Sequence, residues 1–333
     1  MFRKTFLLLT LALALMLGAC APATAVPTEA PNAAEPATEV PTEAAAATEA
    51  PASEAITLTD GLGREVTLES PAQRVVSLAP SLTEVLFAVG AGEQVVGRDE
   101  YSDFPEEALN VASIGSTYQT LNTEAILALN PDLVVAAGIN SPEQIKALED
   151  LDVTVYFFET PTDFEGMYEH LRIMGQLTGH EGEAADLVEA LQQRVEAVRA
   201  AVADVAEKPT VFYEIDGTDP AKPWTSGPGT FMDAMITEAG GINIGGVLSD
   251  SFAQISLEEI VAQDPDFIVL GDTKWGVTIE SIAERAGWAE LTAVKEGNIF
   301  SFDDNLASRP GPRLVDGLEE LLKILHPELV VTQ

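Results

Sequence analysis

Cysteine occurs once, at Cys20, so no internal disulfide can form. A chain exported to an oxidising compartment would then hold its shape by packing alone. Basic residues are scarce: 17 Lys and Arg against 54 Asp and Glu leave a formal charge of −37. So acidic a surface repels nucleic acid and anionic lipid, and excludes both as partners. Histidine occurs three times, at His170, His180 and His326, on helical patterns or their ends rather than together in loops. A bare zinc or manganese site wants several His and carboxylate ligands together, so no protein-bound metal is expected. Enzyme signatures are missing as well. There is no Gly-x-Gly-x-x-Gly after a strand, no Gly-Lys-Ser/Thr phosphate loop, no His-Glu-x-x-His and no Gly-x-Ser-x-Gly. The expectation is a non-enzyme with no catalytic residue and no resident cofactor. After residue 20 no apolar run is long enough for a membrane helix.

The N-terminus carries a signal of its own. Arg3 and Lys4 precede an apolar run from Phe6 to Leu17, which ends in Leu17-Gly18-Ala19-Cys20. That run is short for a bilayer span and has the form of a signal-peptide core. A cysteine after small residues is the lipoprotein pattern, so residues 1–20 read as a signal with Cys20 the lipidated residue. Two or three acyl chains would give a stable anchor where one would not. The membrane contact is then the lipid alone, with the body on the extracytoplasmic side. Residues 21–55 are nearly all Ala, Pro, Thr and Glu. Such a stretch cannot bury enough surface to offset its ordering entropy and reads as a disordered tether.

From residue 56 onward a hairpin (56–59 and 65–68) is followed by short apolar runs alternating with helical patterns. Strands are expected at 75–78, 94–97, 133–136 and 154–158, then at 210–215, 267–270 and 299–302. Continuous apolar strands separated by helices indicate parallel sheets covered on both faces. Between the sets, residues 181–205 are rich in Ala, Leu, Glu and Arg, with no Gly or Pro after Gly182. They predict one long helix. The fold class is therefore α/β, with an N-terminal lobe at 56–180, an interlobe helix at 181–206 and a C-terminal lobe at 207–333. An internal repeat supports two lobes: residues 121–135 reappear as 255–269, each a capped helix, a Pro-Asp turn and a buried strand. An offset of this size indicates duplicated lobes rather than a solenoid.

Arg74-Val75-Val76-Ser77-Leu78-Ala79-Pro80-Ser81-Leu82-Thr83-Glu84 and Phe87-Ala88-Val89-Gly90-Ala91-Gly92 resemble the opening of the cobalamin and ferric-siderophore periplasmic binding proteins. Tyr101-Ser102-Asp103-Phe104-Pro105, both Pro-Asp repeats, Trp224-Thr225-Ser226-Gly227-Pro228-Gly229 and Arg309-Pro310-Gly311-Pro312-Arg313 are similar to that family in the same order. The resemblance covers about residues 56–327. It implies Rossmann-like lobes with the ligand in the cleft between them. It also implies an ABC permease dimer with its ATPase subunits as partner, and a small-molecule metal chelate as ligand. That chelate is a corrinoid or ferric siderophore, with haem, or a surface enzyme or sensor on the same fold, as alternatives. Glu124 and Glu258 fall at equivalent positions of the repeat, in the first turns of helices capped by Asn122 and Ser256. They are similar to the family's two docking glutamates, one per lobe. Ser256 and Glu259 have capping-box spacing, which leaves Glu258 free.

In open parallel sheets, ligands collect beyond the carboxyl ends of the strands. That rule selects loops at 79–81, 98–101, 137–140, 216–229, 272–276 and 303–309. Tyr101, Trp224 and Trp275 fall within them and Tyr118 lies close by, flat side chains suited to a large ring. By resemblance, Tyr101 and Tyr118 match positions that touch the corrin, and Trp224 lies in the corresponding loop of the other lobe. Arg98 and Arg309 are the cationic candidates. Ser81 is expected to open a capping box with Glu84, leaving amides that favour an anionic ligand group. Trp288 reads as a packing residue.

Overall fold

The structure is a computed structural model that describes residues 55–329. The signal segment, Cys20 and the Ala/Pro/Thr/Glu stretch as far as residue 54 lie outside the described residues. The body opens with a hairpin, β1 (Ile56–Thr59) against β2 (Glu65–Leu68), antiparallel as expected from its turn. The N-terminal lobe continues with β3 (Val75–Ser77), α1 (Pro80–Ala88), β4 (Val95–Arg98), α2 (Thr123–Ala128) and β5 (Leu133–Ala137). It closes with α3 (Pro142–Glu149), β6 (Val155–Phe158) and α4 (Phe164–Thr178). Its sheet is parallel, in the order β4-β3-β5-β6. Because successive strand residues point to opposite faces, Val75, Leu133, Val135 and Phe158 enter one core, and Val76, Val134, Ala136 and Phe157 the other.

The long α5 (Glu181–Val202) leads to the C-terminal lobe. There follow β7 (Thr210–Glu214), β8 (Trp224–Ser226), α6 (Phe231–Glu238), β9 (Ile242–Asn243), β10 (Phe252–Gln254) and α7 (Leu257–Gln263). The chain ends with β11 (Phe267–Leu270), α8 (Ile279–Glu284), α9 (Thr292–Glu296), β12 (Ile299–Ser301), α10 (Asn305–Ser308) and α11 (Leu314–Leu325). The second parallel sheet has the order β12-β11-β7-β9, and β8 pairs β10 as a separate antiparallel ribbon. That ribbon and the short β9 were not anticipated from the sequence.

The duplication is visible in backbone detail. Asn130 and Asp264, at matching positions before Pro131 and Pro265, both take left-handed φ, +46° and +43°. Asn and Asp tolerate that region better than other side chains with a Cβ. Two residues on, Asp132 accepts from the amides of Gln73 and Arg74, while Asp266 accepts from the amide of Thr210. Each aspartate thereby ties the repeat to the start of its lobe's first sheet strand. Asn122 and Ser256 cap α2 and α7 through the amides of Ala125 and Glu259, at 3.1 and 3.2 Å. The expected capping box on α7 is only half made: Glu259 reaches forward one turn to accept from Gln263 at 2.9 Å.

The interlobe helix stops at Val202, short of the expected residue 205. There the Val205 amide turns back onto the Val202 carbonyl (3.1 Å), and Pro209 follows. Val188, Leu191, Val195 and Val198 form its buried stripe. They join one core that takes in α4 of the first lobe and α6 and α11 of the second. Arg194 forks onto Glu319 of α11, both bonds 2.9 Å, and Arg199 onto Glu238 of α6 at 2.7 and 2.6 Å. Phe164 and Phe231 meet edge-on across the lobes at 6.4 Å. A connector packed along both lobes leaves little room for a wide hinge.

Candidate functional site

A cavity of about 920 Å³ opens where the carboxyl ends of the two sheets face each other. The first lobe contributes Ser81 after β3, Tyr101 after β4, Gly138 after β5 and the 158–161 turn after β6. The second contributes Ile215 after β7, Lys274 and Trp275 after β11, and Asp304 and Arg309 after β12. Its volume lies at the upper end of the range for small-molecule sites.

Tyr101 and Tyr118 stand together in this cavity with ring centroids 5.4 Å apart and planes at 74°. Both are about half exposed, 50% and 58%. Asp99 holds their loops together. Completely buried, it accepts from the Tyr101 amide (2.8 Å), the Thr117 amide (3.0 Å) and the Thr117 hydroxyl (2.9 Å). The neighbouring Glu100 carboxylate raises the pKa of the Tyr101 phenol, and burial raises that of Tyr118. Both phenols therefore keep their protons at neutral pH.

The cationic candidates fare differently from expectation. Arg98 is buried, and its guanidinium donates to the carbonyls of Ala108 (2.8 Å), Asp99 (3.0 Å) and Glu100 (3.3 Å). It braces the Tyr101 loop from behind and is not available to a ligand. Arg309 does line the cavity, but it donates to Glu84 (3.2 Å) and Asp103 (2.5 Å). Ser81 is not a cap. Pro80, whose ring favours the first helical position, starts α1 two residues earlier than a Ser81 cap would, with Ala79 as N-cap and no side-chain cap bond. Glu84 then turns toward the other lobe, where Arg313 grips it at 2.8 and 2.6 Å. The cation that sequence reasoning passed over is Lys274, half-exposed and 3.9 Å from Asp304. Among the described lining residues, Glu100, Asp103, Glu159 and Asp304 face only Lys274 and Arg309, so the cleft is acidic.

The tryptophans separate. Trp275 stands at the cavity with 78% of its surface exposed, its ring 5.5 Å from the Lys274 ammonium. Trp224 is not among the lining residues. Beyond Ile215 the segment that follows β7 does not line the cleft, and Trp224 lies in β8 opposite Gln254, partly exposed to solvent. Trp288 is a packing residue, fully buried, with its indole donating to the Pro220 carbonyl at 3.0 Å. His170 belongs to the cleft although no strand-end loop carries it. It sits midway along α4 and reaches the cavity beside the 158–161 turn, 4.9 Å from the Phe158 ring. Burial pushes its pKa down to about 4, so the ring is neutral at physiological pH. Among the described residues no group of three or more His, Cys, Asp and Glu could hold a metal ion.

Glu124 and Glu258 lie outside the cavity, exposed in the first turns of α2 and α7. No described helix is long and apolar enough to cross a membrane.

Two parallel α/β lobes joined along one packed helix, with an aromatic-lined cavity at their facing strand ends, define a clefted solute-binding protein. Comparison with known proteins agrees. The periplasmic binding protein family matches residues 75–306, and the chain belongs to that family. It is similar to an ABC transporter substrate-binding lipoprotein of Bacillus subtilis, with 31% identity over 280 residues, 82% of this chain and 86% of that protein. A cobalamin-binding protein of Halobacterium salinarum is 32% identical over 280 residues, 81% of this chain and 74% of the relative. Among solved structures, the periplasmic vitamin B12-binding protein of Vibrio cholerae superposes with a TM-score of 0.66 at 26% identity. That match covers 77% of this chain and all but 3% of the other, 97% being aligned.

Proposed function

We propose that the chain is the extracytoplasmic, lipid-anchored binding component of an ABC importer, and that it captures a metal chelate of little negative charge, a corrinoid foremost. The observation that carries the ligand class is the cleft itself. Two adjoining phenol rings and an exposed indole offer flat contact area at small entropic cost. The acidic balance of the wall opposes a strongly anionic siderophore or a porphyrin with free carboxylates, since Arg309 is already paired. Enzyme motifs are absent from the sequence and the named relatives are binding proteins, which supports capture and delivery rather than turnover. Delivery would run through Glu124 and Glu258, one per lobe, to the two permease subunits.

Titration with aquocobalamin, read by quenching of tryptophan fluorescence, tests the ligand reading. Tyr101→Ala and Tyr118→Ala are each expected to weaken binding by about 1–3 kcal/mol, the range for a buried aromatic contact. Trp224→Ala, outside the cavity, is expected to leave affinity unchanged. Equal affinity in both tyrosine variants and the parent protein would remove the aromatic cleft from the account. Anchoring has its own test: Cys20→Ser is expected to shift the protein from the membrane fraction to the soluble one with ligand binding intact. Retention of that variant on membranes would show that something other than the acyl chains holds it.

A further inference from the structure

His170 has no part in the reading of the cleft so far, and its setting is unusual. Helix α4 is otherwise a packing helix, with Met167, Tyr168, Leu171 and Met174 buried on either side of it in sequence. His170 instead borders the cavity and makes no hydrogen bond to any described residue; its one close ring contact is the edge-on packing with Phe158. It also borders a second cavity of about 430 Å³ on the hairpin side of the first lobe. The two cavities share the wall formed by residues 158–161 and His170. Its ring nitrogens are not among the buried unpartnered polar atoms, which belong to Asn140, Tyr168, Ser226 and Asp272, so they stay open to a ligand that enters the cavity. The two other histidines are occupied: His180 bonds Gln94 at 3.1 Å, and His326 faces the Gly240 carbonyl at 3.4 Å.

We infer that His170 is an axial ligand to the metal of the bound chelate, its imidazole coordinating the face of the ring turned toward the first lobe. This rests on the ligand reading above. Neutral imidazole is a good donor to cobalt and iron, whereas the two cleft phenols would first have to lose a proton. With aquocobalamin the exchange is simple. The lone pair of a His170 ring nitrogen forms a bond to cobalt(III), the bound water leaves, and neither oxidation state nor net charge changes. Phe158, edge-on at 4.9 Å, fixes the plane of the imidazole. Coordination would also select among chelates. Those with a free or exchangeable axial position gain the bond, and those closed on both faces do not.

The test is the absorption spectrum of the full chain with aquocobalamin, compared with that of aquocobalamin in excess free imidazole. The wild-type complex is expected to show the imidazole-ligated band. His170→Phe, which keeps the ring packing on Phe158, and His170→Ala are expected to show the aquo band and weaker binding. Adding imidazole to the His170→Ala complex is expected to restore the ligated band. Cyanocobalamin, whose upper position is closed by cyanide, is expected to bind wild type and variants alike. Identical spectra for the wild-type and His170→Ala complexes would overturn the axial role while leaving the corrinoid reading standing. A wild-type protein that binds no corrinoid would overturn the reading beneath it, and the coordination with it. Circular dichroism of both variants confirms that the comparison is made between folded proteins.

Discussion

The Glu124→Lys/Glu258→Lys double variant is expected to bind its ligand with wild-type affinity and to support no uptake by the cognate importer. Both side chains are exposed, both sit in the first turn of a capped repeat helix, and neither lines the cavity. Each lobe would meet one subunit of a two-fold permease, so each glutamate would face the same kind of basic partner. Truncating a well-formed charge pair at such an interface costs about 2–5 kcal/mol. A micromolar complex is held by only about 8 kcal/mol, so losing two pairs empties it. Each single reversal is expected to remove part of the transport. Glu259→Ala is the informative neighbour: it loses a bond to Gln263 within α7 and is expected to leave transport intact. Normal uptake with the double reversal would reduce Glu124 and Glu258 to complements of their helix dipoles, worth about 0.3–1 kcal/mol each.

Removing Glu84 is expected to produce the largest loss of stability. Its carboxylate is 2% exposed and accepts from Arg313 twice and from Arg309 once, joining α1 of the first lobe to the α10–α11 region of the second. Glu84→Ala leaves two guanidiniums facing a void. Arg309 keeps Asp103 and the Tyr101 carbonyl, whereas Arg313 loses both its hydrogen bonds and keeps the Phe104 ring at 3.9 Å and the weaker attraction of Asp103. Breaking a buried pair in this way costs about 3–5 kcal/mol, mostly from the charge left uncompensated. In a body of this size that lowers Tm by about 10 °C. Glu84→Gln preserves the shape and one acceptor oxygen and is expected to lose less. Ligand affinity is expected to fall in both variants, because the bridge sets the spacing of the lobes around the cavity. A Glu84→Ala protein that melts within 1 °C of wild type, a shift of under about 0.5 kcal/mol, would show that the bridge is open in solution.

The fold was legible because its determinants are local or repeated. Short apolar runs such as Leu133–Ala137 and Phe267–Leu270, each following a Pro-Asp turn, have the length and the boundary of buried strands, and the Pro-Asp repeat itself discloses the duplication. The strand-end rule also selects the loops that carry Tyr101, Lys274 and Asp304, all of which line the cavity. What it could not supply was the direction of a loop after it leaves its strand. Trp224 follows β7, so the rule sends it to the cleft, but the ribbon that β8 forms with β10 carries it to the surface. Arg98 has the position of a ligand cation at a strand end, but its acceptors are three backbone carbonyls, which leave no trace in side-chain chemistry. Glu84 has the spacing of a cap partner to Ser81, while its actual partners lie at sequence separations of 225 and 229, beyond any local pattern. His170 sits mid-helix, ordinarily a packing position, and only the crossing of α4 beside the end of β6 brings it to the cavity.

The central claim is that the cleft captures a weakly charged metal chelate as an intact unit. Calorimetric titration of the purified protein with aquocobalamin, hemin and a ferric hydroxamate, each beside its free metal ion, tests it most directly. The account predicts one-to-one binding of the corrinoid at submicromolar dissociation constant, about 8 kcal/mol or more. Weaker binding of hemin is expected, with no heat from cobalt or iron ions alone. Tight binding of a bare ion, or of the most anionic chelate in preference to the corrinoid, would contradict it.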